Sequence, residues 1–269
     1  MSFNPADLSI IGPALVAGVL VLLTHVPMGR EVLSKGIIFI DLAIAQVAGL
    51  GVIAASMFHL GADEGIAVQI AAGVSALAGA LLLTWTEKRF PEVQEALIGG
   101  LFALAATGSI LLLSNNPEGG EHLKDLLVGQ ILWVSLKSLI PVAILYALIL
   151  AVWFGVGKKQ GRVGFYVLFA LAVTASVQVV GVYLVFASLI VPALAAKRFA
   201  EPLRLAVGYI VGIAGYVLGL VASFLYDLPT GAVVVVTLLA MLILAALIAA
   251  ILPKSMRAPP AERAMHAAA

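Results

Sequence analysis

The 269 residues are 63% hydrophobic and 11% charged, with a mean hydropathy of +1.16, far more apolar than a soluble domain. There is no cysteine, which excludes disulfides and thiolate metal sites, and a net charge of +1 gives no reason to expect a nucleic-acid partner. The apolar runs are continuous rather than alternating segments of about 10 residues, which excludes an outer-membrane barrel and predicts an all-α, polytopic transmembrane helical bundle.

In chain order the apolar segments are Leu8 to Pro27, Ile37 to Leu60, Gly65 to Trp85, Ala96 to Leu113, Leu136 to Phe154, Val163 to Ala196, Leu205 to Leu225 and Ala232 to Leu252. The first lacks the basic start and cleavage site of a removable signal peptide, so it is expected to stay as a span. Between the fourth and fifth, Asn115 to Ser135 is too polar to cross, and Leu123 to Val134 is expected as an interfacial helix. Residues 1–252 form the membrane domain, and the Pro/Ala-rich stretch 253–269 is expected as a disordered cytoplasmic tail.

Val163 to Ala196 is the exception, because a helix of that length would run about 50 Å, too long for one span. A break near Gln178 to Gly181 is predicted, giving two short crossings or a span plus a re-entrant half-helix, so eight to nine spans in all. Basic residues favour this break. With two crossings there, the N-terminus lies outside, and of the 15 lysines and arginines only Lys124 and Lys137 fall outside, as the cytoplasmic bias of basic loops requires.

An ionisable residue inside a span costs at least about 2.5 kcal/mol at the bilayer centre, so it is a functional candidate. Asp41, followed by Gln46, is expected about one turn into the second span. It either lines a transport path or reaches back to Lys35 or a neighbouring backbone group. Glu92 and Glu95 follow Pro91 at the start of the fourth span, where carboxylates also suit a helix N-terminus. Gln178, at the suspected break, serves either freed backbone or a passing substrate. His25 and His59 lie near span ends. His122 shares an outside loop with Glu118, Glu121 and Asp125, a cluster that attracts cations or is merely solvated. The small residues in GVSALAGA (Gly73 to Ala80) and GYIVGIAGYVLG (Gly208 to Gly219) are spaced for close helix packing. No phosphate-binding loop is present, since GVGKKQG (Gly155 to Gly161) lacks both the spacing and the hydroxyl, and no H-E-x-x-H or G-x-S-x-G occurs. The chain is therefore not expected to be an ATPase or any other enzyme.

Four segments in order carry a resemblance: EALIGGLFALAA (Glu95 to Ala106), DLLVGQILWVS (Asp125 to Ser135), QVVGVYLVFASLIVPALAAKRFA (Gln178 to Ala200) and DLPTGAVVVV (Asp227 to Val236). Together they resemble the ABC-3 family, the permease subunits of bacterial zinc, manganese and iron ABC importers. The resemblance implies a type II importer-like fold in the bacterial inner membrane, a homodimer of permeases, two separate ATPase subunits and an extracytoplasmic metal-binding protein. It implies transport of zinc, manganese or iron with no cofactor bound by this chain. It also suggests that the turn after Pro192, with Lys197, Arg198, Glu201 and Arg204, couples to the ATPase. One departure concerns the transport path. Family members resemble D-A-L-S-H-A in the second span, with Asp and His four residues apart on one face. Here Gln46 lies five residues after Asp41, about 140° around the helix, and an amide is a poorer zinc ligand than imidazole. A metal chelate as cargo, or an ATPase-independent secondary transporter, therefore stays open.

Overall fold

Backbone N–H and C=O groups have no water to bond in hydrocarbon, so a chain this apolar must satisfy them within helices. The computed structural model describes residues 5–57, 64–114, 120, 124, 127–156, 161–253 and 256–258. Among these, nine long helices follow one another: α1 (Pro5–Lys35), α2 (Ile40–Met57), α3 (Glu64–Arg89), α4 (Gln94–Leu113), α5 (Leu136–Val156), α6 (Gly161–Val180), α7 (Val182–Ala196), α8 (Glu201–Tyr226) and α9 (Thr230–Ile251). Eight are long and apolar enough to cross a membrane, and α7 is a shorter apolar helix. The described residues thus have the build of a multi-pass membrane protein. On α5 the outward row Ile140, Ile144 and Leu148 is more than half exposed, a single stripe at helical spacing that only lipid covers without cost.

The chain divides into two compact units. The first comprises residues 1–34, 131–139 and 186–269. Its centre is α8, whose glycines replace side chains at the contacts. A Cβ on Gly208 would come within 2.7 Å of Val26 and one on Gly212 within 2.6 Å of Leu22, both on α1, while Gly215 and Gly219 face Leu238 and Val234 of α9. The small-residue stretch predicted for packing is therefore the seam of this unit. α1 continues through Pro27 to Lys35, beyond the end expected from the sequence. Proline at that position removes the bond to the carbonyl four residues earlier. That carbonyl, on Leu23, instead accepts a hydrogen bond from the Tyr209 hydroxyl at 3.1 Å, so the helix continues across the break.

The second unit comprises residues 35–130 and 140–185. Here α2 is sandwiched between α3, α4 and α6. Gly51 of α2 presses on Ser75 and the Ala71 carbonyl of α3, and Gly79 of α3 on Val47. The predicted break falls at Gly181, between α6 and α7, with a left-handed φ of 81°. Gly129 also has positive φ, and its backbone meets Val180 and Gly181 so closely that a Cβ on either glycine would lie 2.3 to 2.4 Å from the other's backbone. A broken helix is tolerated at membrane depth only where protein buries it, and this crossing provides that cover. It also corrects one expectation: Leu123 to Val134 does not form a single interfacial helix, because the left-handed Gly129 interrupts it and only a 3-10 turn, Ile131–Trp133, follows.

The tail is corrected in part. Met256 to Ala258 pair antiparallel with Arg198 to Ala200 and are not disordered, because the strand supplies partners for the backbone between α7 and α8. The residues after Ala258 lie outside those described.

Gly181→Ala is expected to destabilise the protein by more than the roughly 1–2 kcal/mol of a left-handed non-glycine residue, since the clash adds to it. Gly99→Ala, in α4 with open space around it, should be neutral or stabilising by up to about 1 kcal/mol. Thermal unfolding in detergent separates the two.

Candidate functional site

The second unit gathers its charged residues where the start of α2, the end of α3 and the starts of α4 and α6 meet. Asp41 is the second residue of α2, nearer the helix mouth than the full turn expected from the sequence. Helix α2 starts late because Gly36, with φ of 70°, ends α1's run and the chain turns before Ile40. Asp41 is nonetheless only 1% exposed, and no side chain bonds either carboxylate oxygen; the backbone amides of Leu42 and of Asp41 itself are its polar neighbours, as in the backbone alternative read from the sequence. The Lys35 ammonium, the predicted alternative partner, lies over the Phe165 ring at 5.2 Å. Close by is the Glu95 carboxylate, near enough to act on Asp41 electrostatically. Glu95 Oε1 accepts the Phe39 amide at 3.1 Å, while its Oε2 is buried without a partner.

Proline at the start of the η-turn Pro91–Val93 positions α4, which brings Gln94 and Glu95 to this end. Gln94 donates to the Leu83 carbonyl at 3.1 Å and to the Tyr166 hydroxyl at 3.3 Å. Gln94 carries no signal of its own in the sequence, being one polar residue at a helix start. Gln46 is buried in α2, one and a half turns deeper than Asp41. Gln178 is exposed in the last turn of α6, so the structure brings Asp41 and Glu95 together and leaves Gln178 apart from them. Of the outside cluster, Glu118, Glu121, His122 and Asp125 lie outside the described residues, as does His59. Among the described residues no three His, Asp or Glu side chains converge as a metal-binding group. Asp41 and Glu95 thus present three buried carboxylate oxygens that no side chain bonds, donors of the hard-oxygen kind.

The first unit holds the segment proposed to couple. Pro192 is buried within α7, Lys197 is half-buried and Arg198 exposed in the turn that follows. Glu201 opens α8, where a carboxylate suits the helix N-terminus. Arg30 of α1 binds one of its oxygens, and Arg204 Nη1 the other at 2.6 Å. Arg204 Nε also donates to the Phe199 carbonyl at 3.0 Å. Arg30 entered the sequence reading only as a marker of sidedness. No spacing rule joins it to a residue 171 positions away. His25, on α1, is fully buried; its Nδ1 faces the Val21 carbonyl at 2.9 Å and its Nε2 has no hydrogen-bond partner.

The family model described as the ABC 3 transport family matches residues 7–160 and 154–250. A probable iron transport system membrane protein of Haemophilus influenzae is 29% identical over 54% of this chain and 60% of its own length, so this chain spans less than two thirds of that relative. The high-affinity zinc uptake system membrane protein ZnuB of the same organism is 25% identical over 84% of this chain and 93% of its own length. Among solved structures, PsaBC from Streptococcus pneumoniae in complex with Fab superposes with a TM-score of 0.73 and 21% identity, covering 91% of this chain and 92% of that one. That likeness establishes the fold.

An unpaired buried carboxylate costs several kcal/mol of stability. Asp41→Asn, which keeps the shape and removes the charge, should therefore leave the unfolding temperature of the purified protein unchanged or higher. A fall of several degrees would mean that Asp41 has a stabilising partner.

Proposed function

This chain belongs to the ABC 3 transport family, and from that premise we propose that it is the membrane-spanning permease of an ATP-driven importer for a divalent metal ion. Zinc, manganese and iron are the candidate cargoes, in keeping with the names of its relatives. It works as a homodimer, with two ATPase subunits on the cytoplasmic side and an extracytoplasmic binding protein that delivers the ion. ATP binding and hydrolysis belong to the partner chains.

The observation that carries this reading is Asp41: a buried carboxylate that no side chain bonds, within the field of a second carboxylate, in a membrane-spanning domain. Such a residue is retained at a cost to stability because a cation passes it. Asp41 and Glu95 attract the ion near the cytoplasmic end of the path, where basic residues of the neighbouring loops gather. With no imidazole beside them, they hold it loosely and release it quickly. Gln46 offers one further oxygen deeper in α2, and Gln178 belongs nearer the break at Gly181. Nucleotide binding to the partners shifts the outward and inward populations through Pro192, Lys197, Arg198, Glu201 and Arg204.

A second cargo is favoured by one observation. Gln46 stands where the family pattern carries histidine, and a metal chelate brings its own ligands. Competition between free metal and chelate for the partner binding protein separates these cargoes.

The complete complex, reconstituted in vesicles, should take up labelled zinc, manganese or iron only with ATP. Asp41→Asn should lower that uptake by about 10-fold or more, the loss of a favourable ion contact of roughly 1.4 kcal/mol at the rate-limiting barrier. The complex should still assemble. Absence of ATP-dependent uptake for every divalent ion would defeat the proposal, and normal uptake by the variant would remove Asp41 from the path.

A further inference from the structure

The short segment after α9 does more than end the chain. Pro253 stops the helix, and the Met256 amide returns to the Pro253 carbonyl at 3.0 Å. The chain then runs antiparallel to the α7–α8 connection. The Ala200 amide donates to the Met256 carbonyl at 3.0 Å and the Ala258 amide to the Arg198 carbonyl at 3.1 Å, bracketing the pair Phe199 and Arg257. Arg257 fastens this strand to α9: Nε donates to the Leu252 carbonyl and Nη2 to the Ala250 carbonyl, both at 2.6 Å. These carbonyls belong to the last turn of α9, where helix ends leave acceptors unfilled and a cation is favoured. Beneath the strand, Phe199 is buried against Ala195 of α7, Val211 of α8, and Ala245 and Ala249 of α9. On its other side, Arg204 holds the Phe199 carbonyl and, with Arg30, grips Glu201. The connection is thus tied by backbone and side chain to three helices.

A push on a loose loop would be absorbed by the loop itself. A push on this connection moves what it is tied to. We propose that residues 256–258 form a strap, with Arg257 as its positioning residue, that locks the α7–α8 connection to the end of α9 so that the stroke of the ATPase reaches α7, α8 and α9 together. This rests on the ATP-driven reading above, but pairing of the strap is testable without it. Arg257 touches no cargo; it acts through the connection.

The cysteine-free sequence makes the test clean. Ala200 and Met256 flank the antiparallel bridge Phe199–Arg257 and are joined by the Ala200 amide, a placement that in an antiparallel pair sets Cα atoms about 5.5 Å apart, within the range a disulfide spans. Neither is buried. In Ala200→Cys/Met256→Cys a disulfide should form on mild oxidation of the isolated chain. The oxidised complex should then transport as the reduced one does. In Arg257→Ala the complex should assemble and hydrolyse ATP, while the ATP consumed per ion imported rises by about fivefold, the low end of coupling between sites. Adding the disulfide to that variant should restore the ratio. Failure of the disulfide to form, loss of transport on its formation, or an unchanged ratio in Arg257→Ala would each overturn the strap. Should Arg257→Ala not assemble, the oxidised double-cysteine complex alone decides. If the unaltered complex shows no ATP-dependent uptake, the importer reading fails instead, and that result is distinct from all of these.

Discussion

The constraint from which the rest follows is that hydrocarbon offers the backbone no partner. It makes this chain a set of helices, and it dictates how each departure from a helix is built. At Gly181 the chain breaks between two helices, and Gly129 crosses the break backbone against backbone. At Pro27 a carbonyl is freed inside a span, and a tyrosine from the neighbouring helix fills it. The strand formed by residues 256–258 does the same where the chain emerges between α7 and α8. At Pro27 and between α7 and α8 another part of the protein supplies the missing bond, and at Gly181 it supplies cover.

Side-chain charges follow the same rule only in part. Glu201 is gripped by two arginines, and Arg257 fills two helix-end carbonyls. Asp41 is buried with no side chain bonding either oxygen, and in the proposed function its partner is a cation that comes and goes. The nearby Glu95, also with one unbonded oxygen, strengthens the field that such an ion meets. Stability is given up at the place where passage needs it.

Much of this was legible in the sequence. The spans stand out because lipid selects apolar composition along whole helices, and the break near Gly181 followed from length alone, since a helix from Val163 to Ala196 overshoots the bilayer. The glycine row from Gly208 to Gly219 announced a packing seam. What the sequence hid depends on long-range pairing. Pro27 read as an end because its rescue by Tyr209 comes from a helix far along the chain. The tail read as disordered from its Pro/Ala composition, whereas three of its residues find partners in a strand more than fifty positions earlier. Asp41 was visible as a candidate, but its place in the first turn, and Glu95 beside it, required the fold.

Coupling requires that the α7–α8 connection face the cytoplasm, where a motor can act on it. Arg198 is exposed in that connection, and in a chain without cysteine Arg198→Cys supplies one reactive thiol. The direct measurement is labelling of that thiol in intact cells with a membrane-impermeant maleimide, before and after the inner membrane is permeabilised. Labelling is expected only after permeabilisation. Labelling in cells with an intact inner membrane would place the connection outside and contradict it.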